Sequence, residues 1–259
     1  MRKIFTTALV AMLAMAATGA RKAQPQPQLQ FDASKGVAGS VTMADGGIVN
    51  YTAFTKLYYV TNVEDSTYQY LNLFVPEGAT QQAPIFLRTY VGGYMASQAG
   101  MPQADDATGR ALREGYVVAI PGSRGRNSTV ATKKETTYTG RAPKGLLDLK
   151  AAVRYLRHFD SEMPGSAELI VTDGTSAGGA MSSLLGATGN NPAYDKYLRE
   201  MGAAQTRDDV YAAVCYCPIT DLDHADMAYE WLYNCTNSGK RNITEAQRPI
   251  SDELAAMFP

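Results

Sequence analysis

Ser176 stands in the run Asp173-Gly174-Thr175-Ser176-Ala177-Gly178-Gly179. A serine hydroxyl becomes a nucleophile when a neighbouring base takes its proton and N–H donors face the oxyanion that forms on the attacked carbonyl. The Gly-x-Ser-x-Gly spacing suits that chemistry where it joins a strand to a helix. The serine then sits at the tip of a sharp, strained turn, and Gly174 and Gly178 let strand and helix approach without a side-chain clash. Both flanks fit, since residues 167–172 read as a buried strand and 176–185 as a helix of small and apolar residues. The plain alternative is a tight turn with an inert serine. The N–H of Ala177, at the helix start, is one oxyanion donor. Gly92 and Gly93, after the strand-like run 84–91, place a second glycine-rich loop where the other donor belongs.

A base is harder to find. The sequence holds two histidines, His158 and His224. His158 lies near the C-terminus of the helix before the nucleophile strand, where a partly charged imidazole is favoured. His224 follows Ser176, but directly after the next strand, two strands early for a triad running Ser, acid, His. Its loop, Asp221-Leu222-Asp223-His224-Ala225-Asp226, reads most simply as a helix start with aspartate in the first turn. Two other readings compete: a metal site on Asp221, Asp223, His224 and Asp226, whose adjacency on one short loop disfavours convergence, and a noncanonical-triad or substrate-binding role for His224 or one of these acids. The triad acid is not identified, and neither a metal nor a cofactor is expected.

These residues need a scaffold. Runs 56–63 and 68–76 read as an antiparallel pair, followed by strands at 84–91, 115–121, 167–172 and 210–217 with helical segments between them. Residues 145–159 place Leu146, Leu149, Val153 and Leu156 at helical spacing. That order predicts an α/β fold: a mostly parallel, doubly wound sheet with an antiparallel N-terminal pair. Ser123, in Pro121-Gly122-Ser123-Arg124-Gly125-Arg126, falls in the loop after a strand, with Arg124 expected to pair a carboxylate. Cys215 and Cys217 share one strand face and read as buried small apolar groups, against a disulfide from either to Cys235. Tyr94, Tyr229 and Trp231 are candidates for an aryl pocket.

The chain has 259 residues, with 24 Lys and Arg against 25 Asp and Glu. A net charge of −1 argues against a nucleic-acid partner and leaves a small molecule as the expected one. Three cysteines make neither a disulfide framework nor a zinc spacing. Residues 1–20 carry Arg2 and Lys3 before an uncharged stretch and then small residues, the pattern of a cleaved signal peptide. Export to the periplasm or medium follows, with no stable membrane anchor after cleavage. Residues 21–50 read as a flexible leader and N-terminal segment, 51–223 as the core, and 224–259 as the start of a lid or insertion.

From about Tyr51 to Asp226 the sequence resembles an α/β-hydrolase of the carboxylesterase type, and more closely the bacterial tannase and feruloyl-esterase-like group. The likeness rests on IFLRTYVGGYMA (85–96), IPGSRGR (120–126), VTDGTSAGGAMS (171–182) and CYCPITDLDHADMAYEW (215–231). It implies Ser176 as nucleophile, with Gly92, Gly93 and Ala177 around the oxyanion. It also implies cofactor-free hydrolysis of small esters: aryl, feruloyl, galloyl or acetyl. In that family a lid follows the 210–217 strand, and the last two strands, bearing the acid and the His, come after the lid. Residues from 251 begin another helix and the sequence stops at 259, so the fold is expected to be incomplete at its C-terminus, with those two strands missing and esterase activity impaired or lost. A serine peptidase of the prolyl-oligopeptidase type uses the same motif, but no propeller repeats precede it. A noncatalytic binding module on a hydrolase scaffold is the third reading.

Overall fold

The computed structural model describes residues 28–235 and 244–258, so the expected signal peptide lies outside the described residues. β5 (Val117–Pro121) is buried at every position, as a strand with both faces covered should be. β4 (Pro84–Thr89) pairs with it in parallel, β8 (Ser166–Thr175) pairs in parallel with β4, and β9 (Ala212–Tyr216) pairs in parallel with β8. On the other side of β5 lie three antiparallel strands, β3 (Tyr70–Pro76), β2 (Ile48–Tyr58) and β1 (Val37–Thr42). Among the described residues the sheet order is β1-β2-β3-β5-β4-β8-β9. A short hairpin, β6 (Thr129–Ala131) with β7 (Thr136–Tyr138), stands apart.

Helix α1 (Ala107–Arg113) covers one face of the sheet, where Ala111 and Leu112 meet Phe74, Val118 and Ile120. Asp106 caps it by accepting the Thr108 N–H. On the other face α2 (Lys144–His158) and α3 (Ala177–Ala187) join a core with Leu71, Leu73, Ile85 and Leu87. The four apolar positions expected on one side of α2, Leu146, Leu149, Val153 and Leu156, are all buried, each worth about 1.5–3 kcal/mol. The chain leaves β4 toward one face and β8 toward the other. Such a divergence opens a crevice at the C-terminal ends of the two strands, where open α/β sheets bind ligands. Further along, α4 (Asp195–Glu200) packs on α2, and α5 (Ala225–Cys235) packs on α6 (Arg248–Met257).

Buried charges on α2 pin two connecting segments. Asp148 accepts the Arg124 backbone N–H at 2.8 Å, its Nε at 2.9 Å and its Nη2 at 2.8 Å. Burial pushes the Asp148 carboxyl upward, and the Arg124 bonds pull against that shift. Lys150 Nζ and Arg154 Nε each lie 2.7 Å from the Asp208 carboxylate, tying the stretch before β9 to the same helix.

Several sequence expectations shift. The N-terminal antiparallel set has three strands rather than a pair, and its middle strand covers 48–58, not 56–63. Periodicity fails there because β1 lies at the sheet edge and leaves Val37 and Ile48 on the wet side. Residues read as a leader are also anchored: the Phe31 ring lies 5.0 Å from Phe54 and 6.1 Å from Phe159, and Tyr155 donates to the Gln30 carbonyl at 2.6 Å. β9 ends at Tyr216, so Cys217 is off the strand, exposed and at φ 38°, and does not share a buried face with Cys215. Both are free thiols, and the Cys235 side chain lies outside the described residues.

Candidate active site

Ser176 links β8 to α3 with φ 59° and ψ −121°, a conformation that side-chain-bearing residues rarely adopt. Its N–H donates to the Tyr216 carbonyl at 2.9 Å, and its own carbonyl accepts the Ala180 N–H at 2.9 Å. The glycines are required by contact. A Cβ on Gly174 would stand 2.2 Å from the Gly178 carbonyl oxygen, one on Gly178 2.7 Å from the Thr89 carbonyl oxygen, and one on Gly179 2.6 Å from the Tyr216 carbonyl oxygen. The buried Thr89 hydroxyl donates toward the carbonyls of Asp173 (3.0 Å) and Gly178 (2.9 Å), one before the turn and one after it. Strain at a single residue persists only where its surroundings over-determine it, and these contacts do so. The Ser176 side chain is half-buried and makes no capping bond to α3.

The second loop comes to the same place. A Cβ on Gly178 would lie 3.0 Å from the Val91 carbonyl oxygen, so the chain leaving β4 runs against the first turn of α3. Gly92 and Gly93 follow, exposed, in a turn closed by the Met95 N–H donating to the Gly92 carbonyl at 2.9 Å. Gly93 and Tyr94 both have positive φ, 55° and 56°, the sign pattern of a type I′ turn. Among the described residues the N–H groups of Gly92, Gly93 and Ala177 make no hydrogen bond. That of Ala177 is one of the free donors that every helix start carries.

The two histidines are not brought to the serine. His158 is exposed at the end of α2, its ring 4.6 Å from that of Phe159. His224 is exposed just before α5, with Nδ1 2.9 Å from both carboxylate oxygens of Asp221. It borders a cleft lined by Asp221, Met227, Met257 and Phe258, and Ser176 is not among the lining residues. Asp226 lies in the first turn of α5, as the helix-start reading expects. Among the described residues no group of three His, Cys, Asp or Glu side chains is placed to hold a metal.

Other expected residues divide. Tyr94 spans from the Gly92–Gly93 loop to the segment after β9, donating to the Ile219 carbonyl at 3.1 Å. Burial raises its phenol, with Tyr229 adding to the effect. Trp231 turns to Phe258 instead, at 5.2 Å between ring centres. Asp173 is buried and paired with Arg88, so it is not a free acid; burial raises its carboxyl and the Arg88 charge opposes that. Ser123 is fully buried and its hydroxyl has no partner among the described residues, while Arg124 pairs with Asp148 and Glu64. Sequence reasoning missed Thr89 and Gly179. The second had a signal, being the next letter after the motif; a lone threonine at a strand end had none.

A serine on a strand-to-helix elbow, at the C-terminal end of a mostly parallel sheet with helices on both faces, defines an α/β-hydrolase. A model of the BD-FAE family matches residues 71–253, and the chain belongs to this family of esterase-type α/β-hydrolases. Among solved structures it is similar to the tannase of Fusobacterium nucleatum, with a TM-score of 0.78 and 39% identity over 90% of this chain and 56% of that one. It is also similar to the tannin acyl hydrolase of Lactobacillus plantarum, with a TM-score of 0.75 and 36% identity over 88% of this chain and 54% of that one. A tannin acyl hydrolase in complex with ethyl gallate gives a TM-score of 0.74 and 36% identity over the same shares, 88% and 54%. The chain thus spans a little over half the length of these structures. A comparison with curated proteins found no match.

Proposed function

We propose that this chain carries the nucleophile and the oxyanion donors of a serine ester hydrolase. The observation that carries the reading is Ser176 itself, held at φ 59° between glycines that admit no side chain, beside the free N–H of Ala177 and the Gly92–Gly93 turn. In that reaction the Ser176 Oγ attacks the ester carbonyl. The N–H groups of Ala177 and the Gly92–Gly93 turn receive the oxyanion, and collapse expels the alcohol to leave an acyl-serine that water clears. The substrate we assign is a small ester of a hydroxylated aromatic acid, of galloyl or feruloyl type, with an acetyl ester as the simpler alternative. Similarity to tannin acyl hydrolases, one with ethyl gallate bound and one with 3,4-dihydroxybenzoate, supports that class. No cofactor enters these steps.

Neither histidine of the sequence is bonded to Ser176, and among the described residues its hydroxyl has no hydrogen-bonded partner to take its proton, so we expect esters to turn over slowly on this chain alone. The test is covalent labelling with a fluorophosphonate, read by peptide mass. Slow modification at Ser176, abolished in Ser176→Ala, is expected. Labelling that survives Ser176→Ala overturns the nucleophile. Brisk aryl-ester turnover that is lost in Ser176→Ala overturns the low activity and makes His224 the base. We further propose export with removal of residues 1–20, leaving no membrane anchor; among the described residues no helix is long and apolar enough to cross a membrane. N-terminal sequencing of the envelope or medium fraction checks this, and a cytoplasmic product that keeps Met1 refutes it.

A further inference from the structure

The motif IPGSRGR contributes no nucleophile, yet its second half lies along the oxyanion loop position by position. Ser123 exchanges backbone bonds with Ser97, donating at 2.8 Å and accepting at 3.0 Å. Gly125 is passed so closely that a Cβ there would stand 2.3 Å from the Ala96 nitrogen and 2.6 Å from the Tyr94 carbonyl oxygen. The Arg126 N–H donates to that Tyr94 carbonyl at 2.8 Å, and the Asn127 side chain accepts the Ala96 N–H at 2.7 Å. Arg124, buried against Asp148, roots the segment in α2. One side-chain donor completes the set: Arg126 Nε lies 2.7 Å from the Gly93 carbonyl oxygen.

We propose that Arg126 is a positioning residue for the oxyanion donors, an inference that rests on the ester-hydrolase reading of Ser176. A trans peptide is planar, with its C=O and N–H pointing opposite ways. Holding the Gly93 oxygen therefore fixes the peptide plane on the far side of the Gly93 Cα, and the Met95 bond to the Gly92 oxygen fixes the plane on the near side, which carries the Gly93 N–H; together the two bonds set the turn that aims that donor. The turn does not hold itself well, because Tyr94 carries a side chain at positive φ, where only glycine is at ease. A guanidinium donor makes a stronger bond to a carbonyl than a neutral one does. Arg126 is exposed and has no role in the core, so its effect falls on the loop and not on stability.

Two substitutions separate the donor from the charge and the bulk. Glutamine places its amide nitrogen at the same position along the side chain as arginine Nε, and methionine matches that length with no donor. With the 259-residue protein, Arg126→Met is expected to slow fluorophosphonate labelling of Ser176 about tenfold, less than outright removal of an oxyanion donor. Arg126→Gln is expected to label near the wild-type rate, and both variants to melt with the wild type. In 15N-labelled protein, Arg126→Met is expected to move the Gly93 and Tyr94 amide signals and Arg126→Gln to restore them. Wild-type labelling by Arg126→Met, or an equal loss in both variants, overturns the proposal. A Ser176→Ala protein that labels as fast as wild type refutes the ester-hydrolase site instead. In that case, or if the wild type labels too slowly to rank variants, the amide signals decide: Gly93 and Tyr94 unmoved in Arg126→Met overturn the positioning role.

Discussion

Replacing Ser176 with glycine should stabilise the protein while removing the hydroxyl of the proposed nucleophile. A non-glycine residue held in a sparsely populated region costs roughly 1–3 kcal/mol, and Ser176 is held at φ 59° and ψ −121° by bonds to Tyr216 and Ala180. Glycine removes the Cβ clash that causes the cost. It also loosens the unfolded chain, which returns about 0.4–1 kcal/mol. The expected net gain is about 0.5–2 kcal/mol, a rise of a few degrees in melting temperature for a domain of this size. The side chain makes no capping bond, so no hydrogen bond confuses the comparison. Ser176→Ala is the control: it keeps the Cβ and the strain, loses the hydroxyl, and should melt with the wild type. Urea and thermal unfolding followed by circular dichroism, beside fluorophosphonate labelling, read both effects. If Ser176→Gly is no more stable than Ser176→Ala, the elbow stores no strain at its dihedral angles.

Thr89→Val removes the hydroxyl that joins the two ends of the elbow and leaves the Asp173 and Gly178 carbonyls one donor short. A loss of about 1–3 kcal/mol is expected, with recovery in Thr89→Ser; equal stability of Val and Ser variants in urea refutes it. Burial opposes the charge on Asp208, but bonds from Lys150, Asn190 and Arg154 outweigh it and hold the carboxyl below its ordinary range. A folded pKa below the unfolded value of about 3.9 means stability that is complete above that value and drains away as pH falls through the folded one. Asp208→Asn should therefore cost about 3–5 kcal/mol near neutrality, since it leaves Lys150 buried without its counter-charge, and should narrow the stability gap between pH 7 and pH 3. A gap as wide in the variant as in the wild type contradicts the assignment.

What the sequence discloses depends on how local the cause is. The elbow is legible because strand, turn and helix follow one another within residues 166–187, and because the clashes that demand Gly174 and Gly178 arise inside that run or against β4. The parallel core is legible because strands covered on both faces read as unbroken apolar runs. β1 and the start of β2 are not, because an edge strand has one wet face and its composition follows solvent as much as packing. Phe31 was hidden by its Pro- and Gln-rich neighbours, although it seats against Phe54 and Phe159 from far along the chain. Arg126 and Asp208 belong to the same class. Their partners stand 33 and 58 positions away, and nothing in an exposed arginine or a loop aspartate announces which backbone or ammonium group the fold will bring to it.

The two halves of an acyl-transfer site respond to different physics, and on the proposed reading this chain separates them. Oxyanion donors are backbone groups, so they are set by turns, glycines and helix starts, all of which the β4–α3 region supplies from its own packing. A base must reach the serine from another element, and both histidines here are engaged elsewhere, His224 with Asp221 and His158 against Phe159. Donors without a base are not inert, because binding and oxyanion stabilisation alone retain about 10³–10⁴-fold over water when triad members are removed. In that regime water, not serine, is the nucleophile. A faint aryl-ester rate on this chain should then survive Ser176→Ala and fall in Arg126→Met, the opposite ranking from an intact triad, in which loss of the serine does the greater damage.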